Sequence, residues 1–210
     1  MDLSDEALIE NFRSTQDSNH FKSLVRRYQN RIYGAAYRIL GSTEEAEEVV
    51  QETYIKVHHN LAKFRQESAF SSWIFKIAHN ICIDILRNRR RSTGGVQVLS
   101  FDPQSSFEEE GTDSASSVVS QVADEAPCPS TVLDMNEQTE IIEASLGRLP
   151  EDQRTVVVLH DIEGFSYQEI SEIVGANLGT VRSRLHYGRL RLRKLLDPYF
   201  SSATMSTASR

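Results

Sequence analysis

Apolar residues recur along this chain at intervals of three and four, the period of one face of an α-helix. Residues 3–14 place Leu8, Ile9 and Phe12 on one side, behind Ser4 as an N-cap. From Ser18 to Leu40 the repeat is Phe21, Leu24, Val25, Tyr28, Ile32, Ala35, Ala36, Ile39 and Leu40, closed by Gly41. Ser42, Thr43, Glu44 and Glu45 open a third helix, with carboxylates in the first turn where the helix dipole favours them. It runs to about Leu61 and turns Val49, Val50, Thr53, Tyr54 and Val57 inward. Residues Ala62 to Ser68 read as a loop carrying Lys63, Phe64 and Arg65. A fourth helix, Ala69 to about Arg91, shows a wide stripe of Phe70, Trp73, Ile74, Ile77, Ala78, Ile81, Cys82, Ile85 and Leu86. It ends in Arg87, Arg89, Arg90 and Arg91, where cations suit the dipole and two of them need no other role.

Periodicity stops from Ser92 to about Ser130, a stretch rich in Ser, Gly, Asp, Glu and Pro that reads as a flexible acidic linker. It resumes from Val132 to Leu146, with Leu133, Ile141, Ile142 and Leu146 on one side. Leu149-Pro150-Glu151-Asp152 marks a turn and a Pro-led helix start. An apolar helix, Thr155 to Ile162, is broken by Gly164. Ser166 with Glu169 three residues on forms a capping box before Ile170, Ile173 and Val174, and Gly175 stops that helix. A last helix starts near Gly179-Thr180 and carries Val181, Leu185, Leu192, Leu195 and Leu196. The tail after Pro198 reads as disordered. No strand pattern competes, so the fold class is all-α: a helical domain over residues 1–91, a linker over 92–131, a second helical domain over 132–198 and a tail over 199–210.

The last two helices change the picture. A short capped helix, a Gly-bearing turn and a basic second helix make the helix-turn-helix pattern. Between Ala176 and Leu196 there are six Lys or Arg and no Asp or Glu. In that motif the start of the second helix enters the DNA major groove. Here it offers Thr180, Arg182, Ser183 and Arg184, which can bind phosphates or guanine edges. A solvated basic face is the plainer reading of such a run, but the capped helix and turn before it favour DNA.

A net charge of −7 looks unsuited to a DNA binder. Its distribution explains it. Ser92 to Glu143 holds eleven Asp or Glu and no Lys or Arg, so the rest of the chain carries +4. No run of about 18 apolar residues could span a membrane. The acidic start MDLSDEALIENF lacks the order of a signal peptide, and the protein is expected in the cytoplasm.

Catalytic patterns are missing. Phosphate-cradling Gly loops, GxSxG and HExxH are absent, and neither Cys82 nor Cys128 sits in a metal-binding spacing. His58 and His59 are adjacent on a helix and point about 100° apart. His79, His160 and His186 are isolated, and Asp161 and Glu163 lie beside a helix end where capping or solvation is the default. No enzyme, metal, cofactor or small-molecule substrate is expected. Cys82, within an apolar stripe, reads as a small buried hydrophobe.

Three stretches, EEAEEVVQETYIKVHHNLAKF, SAFSSWIFKIAHNICIDILRNRRR and LPEDQRTVVVLHDIEGFSYQEISEIVGANLGTVRSRL, resemble the extracytoplasmic-function (ECF) sigma factors of the sigma-70 family, in that family's order and spacing. The resemblance covers about residues 20–91 and 137–196. It implies a bacterial transcription initiation subunit with core RNA polymerase (its β′ clamp helices and β flap), promoter DNA and an anti-sigma factor as partners. It implies polymerase contacts from Glu48, Val49, Gln51, Glu52, Tyr54, Ile55 and Leu61. It assigns the opened minus-ten strand to Lys63, Phe64, Phe70, Asn80, Asp84, Arg87 and Arg90. Trp73 could stack on a base there, although its place in the stripe favours core packing. The minus-thirty-five duplex falls to Thr180, Arg182, Ser183, Arg184, His186, Tyr187 and Arg189. The family commonly has a basic residue where Tyr187 stands and alanine where Gly188 stands, and its linker is shorter and less acidic. A stand-alone helix-turn-helix repressor is the rival reading; it would need a dimer interface and would leave the first domain unexplained.

Overall fold

A computed structural model describes residues 3–15, 17–64, 68–92 and 129–207, with side-chain surroundings defined except at residues 62, 129–137 and 200–207. The described residues form eight α-helices and no strand: α1 Asp5–Thr15, α2 Ser18–Leu40, α3 Thr43–Asn60, α4 Phe70–Ser92, α5 Pro129–Gly147, α6 Glu151–Val157, α7 Tyr167–Val174 and α8 Leu178–Thr207. The expected linker lies almost wholly outside the described residues, as does Cys128.

The helix ends follow local chemistry. Asp17 caps α2 by accepting from the Asn19 N–H at 2.9 Å, and Gly41 closes it at φ 71°, its N–H donating to the Tyr37 carbonyl. Ser42 caps α3 by accepting from the Glu45 N–H at 3.3 Å, a contact worth about 1 kcal/mol. α3 ends at Asn60, and Leu61–Lys63 tightens into a 3₁₀ turn.

α1 to α4 pack as one bundle. Ile9, Leu24, Ile32, Val49, Val57, Leu61, Ile74 and Ile81 are fully enclosed, each contributing roughly 1.5–3 kcal/mol through burial. Cys82 is buried at 1 % exposure, as its stripe predicts. Burial pushes its thiol up to about 12, which leaves it unreactive.

In the second half α6 and α7 pack on α8 around Val156, Val157, Leu159, Ile170, Ile173, Val181 and Leu185. The predicted capping box is present: Ser166 accepts from the Glu169 N–H, and Glu169 accepts from the Ser166 N–H at 2.9 Å. Gly175 stops α7 at φ 67°. Gly188 has a packing reason that its helix position hides. A Cβ there would stand 2.8 Å from Val157 Cγ2 and 3.4 Å from Gln153, so its bareness sets how closely α6 and α8 approach.

Several boundaries and facings differ from expectation. α5 starts at Pro129, ahead of Val132, and seats Ile141, Ser145 and Leu146, leaving Ile142 at the edge, 36 % exposed. The apolar helix expected over Thr155–Ile162 becomes α6 followed by a π-turn, Val158–Ile162, in which the Glu163 N–H reaches back five residues to the Val158 carbonyl. The extra residue rotates the register, so Ile162 faces solvent at 42 % exposure. α8 begins at Leu178, because the Asn177 side chain accepts from the Thr180 N–H at 2.8 Å. α8 also passes through Pro198 to Thr207, where a disordered tail was expected. A proline inside a helix removes one backbone bond and kinks the axis without having to end it.

The two halves pack on one another, chiefly α4 on α7 and α2 on the α5–α6 segment. Phe75 of α4 meets Phe165 edge-on at 4.9 Å. Ser72 donates to Glu169 at 3.1 Å. Arg154 donates to the Ile39 carbonyl at 2.7 Å, and Arg90 pairs with Glu151.

Candidate nucleic-acid interface

Three separate faces gather the sequence-predicted residues. The first lies along α4. Helical periodicity puts Trp73, Ile77, Asn80, Asp84, Arg87 and Arg91 on one side of the helix. Asn80, Asp84, Arg87 and Arg91 are exposed, while Trp73 and Ile77 are half-buried. At the N-terminal end this strip opens into a cleft of about 280 Å³ lined by Lys56, Asn60, Lys63, Phe64, Trp73 and Ile77. Its back wall is aromatic: Phe64 packs on Trp73 at 4.9 Å and on Phe70 at 5.7 Å, and Phe70 on Trp73 at 5.8 Å. Phe64 and Phe70 are 6 % and 2 % exposed, so they shape the wall and only Trp73 offers a ring to the opening. A cleft with one available aromatic face and lysine and amide groups at its rim is suited to a splayed-out base with its phosphate.

Several α4 cations already have acidic partners. Asp84 and Arg87 form an exposed pair at 3.5 Å. Arg89 is fixed by Glu45 through Nε at 2.7 Å and by the Leu40 carbonyl at 2.9 Å. Arg90, expected at the minus-ten strand, is instead engaged with Glu151 of α6.

The second face is on α3. Glu48 and Gln51 are exposed, Ile55 is 58 % exposed, and Glu52 pairs with Lys56 at 2.8 Å. An exposed isoleucine rimmed by acid and amide groups is the composition of a docking patch. Two of the residues expected here face the other way. Val49 and Leu61 are wholly buried and can act only by holding α3 in place. Tyr54 is half-buried, its hydroxyl donating to the Val25 carbonyl at 3.1 Å.

The third face is the start of α8. Arg182, Ser183 and His186 are exposed, Tyr187 is 54 % exposed, and Thr180 is half-buried in the first turn. Arg184 is tethered to Asp152 at 3.2 Å and Arg189 to Asp161, with Nε at 3.0 Å. Asp161, although exposed, pairs with Arg189 of α8, and Glu163, its side chain buried, pairs with Arg31. Among the exposed cations at the start of the helix, Arg182 is the one that stands clear of any acid in the described contacts.

Sequence reading missed the back of α4. Ser72, Phe75 and His79 lie opposite the strip and are buried against the second half. Burial first, and then repulsion from Arg184, push the His79 imidazole down to about 4, and its Nδ1 has no hydrogen-bond partner. The signal was present, since Phe75 and His79 are four apart and outside the main stripe, but their partner surface is some ninety to a hundred residues away. No described group of three or more His, Cys, Asp or Glu could hold a metal ion, and no described helix is long and apolar enough to cross a membrane.

Comparison with known proteins matches the same two halves. Residues 24–92 fit the model of sigma-70 region 2, and residues 139–192 that of sigma-70 region 4. The ECF RNA polymerase sigma factor SigW of Bacillus subtilis is 33% identical over 180 residues, spanning 86% of this chain and 90% of that one. The ECF RNA polymerase sigma factor SigE of Mycolicibacterium smegmatis is 34% identical over 183 residues, which span 87% of this chain but 64% of that relative. The solved complex of the sigma factor RpoE with the anti-sigma factor NepR from Bartonella quintana shares the fold, with a TM-score of 0.62 at 24% identity over 86% of this chain and 98% of that one.

Proposed function

The chain belongs to the ECF RNA polymerase sigma factors, initiation subunits that direct core polymerase to promoters, and from that premise we propose which surface performs each part of the task. Residues 1–91 are the polymerase-docking and strand-trapping unit, residues 132–198 the duplex reader, and residues 92–131 the tether between them. The observation that carries the reading is the cleft beside Trp73, continuous with Asn80, Asp84 and Arg87 on the same face of α4.

The exposed α3 patch of Glu48, Gln51, Glu52 and Ile55 docks on the β′ clamp helices of the polymerase. Its acids complement a basic coiled coil, and Ile55 supplies the apolar anchor. The cleft takes one base of the opened minus-ten strand. Trp73 stacks on it, Lys56 and Lys63 hold the adjoining phosphates, and Asn80 with Arg87 guides the strand along α4. Capturing a base outside the stack stabilises the open duplex by preferring single-stranded DNA, so opening needs no bond-making step and no cofactor. Arg182, with Thr180, Ser183, His186 and Tyr187 around it, reads the minus-thirty-five duplex in the major groove, and α8 is also the helix that meets the β flap. Tyr187 in place of a basic residue gives one phosphate contact fewer at that end. The protein works in the cytoplasm, where its polymerase is, and an anti-sigma factor restrains it by covering these faces.

Run-off transcription with purified bacterial core polymerase over a promoter library tests the reading. Transcripts that depend on this protein and share two spaced upstream motifs are the expected result. Duplex binding without any such transcript would leave a helix-turn-helix repressor.

A further inference from the structure

The loop that closes the Trp73 cleft is held from outside by α1. Leu61–Lys63 forms one 3₁₀ turn, closed where the Phe64 N–H donates to the Leu61 carbonyl at 3.3 Å. The turn presents Lys63 and Phe64 to the cleft, with Phe64 against Trp73. Both backbone carbonyls that bracket the turn point to the same guanidinium. Arg13 Nη2 donates to the Leu61 carbonyl at 3.1 Å and to the Phe64 carbonyl. α1 is itself pinned at both ends. Asp5 accepts from Arg27 and Tyr28 of α2, Leu8, Ile9 and Phe12 are buried, and Phe12 packs on Phe21 at 5.8 Å and on His58 at 5.9 Å. The matched region 2 begins at residue 24, so α1 stands outside it.

We propose that Arg13 is a positioning residue for minus-ten strand capture: it locks the Leu61–Phe64 turn from α1 and so fixes the width of the cleft and the base it accepts. The proposal rests on the reading of the cleft given above. Without Arg13 a single backbone bond, Phe64 N–H to the Leu61 carbonyl, would close the turn. Such a turn would open and close, and a cleft wall that moves selects bases poorly, since discrimination needs groups held in place before the ligand arrives. The guanidinium suits the task because it is always charged and donates two bonds from one nitrogen, one to each end of the turn. A cation at the end of α1 also suits the helix dipole, but that role would not require contact with both ends of a distant turn.

The test compares the full chain with Arg13→Met and Arg13→Lys. Trp73 is the only tryptophan, so its emission and its quenching by acrylamide report directly on the cleft wall. In Arg13→Met the emission moves to the red and quenching rises, while Arg13→Lys, which keeps a donor within reach, stays near the parent. Holoenzymes assembled from each protein are then challenged with single-stranded DNA randomised at six central positions. The Met variant loses selection at one base position on the order of tenfold, the discrimination that loss of a charge-assisted bond removes. Its core-polymerase affinity and duplex binding are unchanged, and Lys restores most of the selection. Parental Trp73 emission and parental selection in Arg13→Met would overturn the proposal. So would an equal loss of polymerase, duplex and strand binding in both variants, the mark of a helix that only stabilises the fold. If the parent holoenzyme itself selects no strand, the reading of the cleft falls, and the Trp73 measurement still decides whether Arg13 holds the turn.

Discussion

Arg31 on α2 and Glu163 after the π-turn join the two halves of the molecule: Arg31 Nε meets Glu163 Oε2 at 3.0 Å, and Nη2 meets the Glu163 carbonyl at 3.1 Å. The guanidinium also lies over the rings of Phe75 at 5.3 Å and Phe165 at 6.0 Å. The Glu163 side chain is 6 % exposed and that of Arg31 41 %. Burial raises the Glu163 carboxyl above its ordinary value, and Arg31 counteracts it.

With the α4 cleft at the minus-ten strand and α8 at the minus-thirty-five duplex, as proposed above, this contact is expected to open on a promoter. Elements near positions −10 and −35 are some 25 base pairs apart, roughly 85 Å at about 3.4 Å per pair. In the packed molecule Arg184 of α8 lies close enough to His79 of α4 to influence its charge. Arg31→Ala removes one partner of a half-buried pair and weakens the docking of the halves by roughly 2 kcal/mol. Small-angle scattering should show a larger radius of gyration than the parent, with the helix content of both halves unchanged by circular dichroism.

Packing of the halves is expected to weaken in acid. His79 titrates near 4 when packed and near 6.5 when exposed, so the separated state takes up the proton first as pH falls. Stability is therefore full above pH 6.5 and declines between 6.5 and 4, by about 2 kcal/mol at pH 5. Glu163, raised in the packed state, acts in the opposite sense by taking up its own proton there. Urea midpoints at pH 7 and pH 5 should differ for the parent, and His79→Leu should reduce the difference.

Trp73→Ala removes the one ring available in the cleft. Stacking of a base on an aromatic side chain is worth about 1–3 kcal/mol. Open-complex formation should fall by roughly 5- to 150-fold, read by permanganate footprinting, with core-polymerase affinity within about twofold of the parent.

Ile55→Arg places a charge at the centre of the α3 patch, on a residue 58 % exposed in the free protein. Folding is expected to change by less than about 0.5 kcal/mol. Core-polymerase affinity should drop by at least 2 kcal/mol, the scale of a central anchor residue. Equal affinity of the two proteins in a titration of labelled core polymerase would remove this patch from the interface.

Gly188→Ala should destabilise the second half, although alanine is the better helix former by about 1 kcal/mol. The new methyl would stand 2.8 Å from Val157 Cγ2, on a stiff side chain that is 1 % exposed. Overpacking of this kind costs about 1–3 kcal/mol. Thermal unfolding of Gly188→Ala and of the double variant with Val157→Ala checks it: the second change makes room and returns part of the loss.

The sequence by itself determined most of the helices, the apolar stripes of α2 and α4, the capping box of Ser166 and Glu169, the turn at Gly175 and the basic start of α8. Each is set by residues within one or two turns of one another, so spacing alone reveals them. It also carried the family, through motifs that stay contiguous. The tertiary structure decided what depends on residues far apart in the chain. Ser72, Phe75 and His79 are buried where the second half packs on the back of α4. Val49 and Leu61 are removed from the docking face, and Arg90 and Arg184 are tied to acids on α6. The cleft exists only where α3, a 3₁₀ turn and α4 converge, with Arg13 of α1 behind it. Spacing fixes which side of a helix a residue occupies; packing fixes what that side meets, and the competition among neighbours for each charged group settles which arginines remain for DNA.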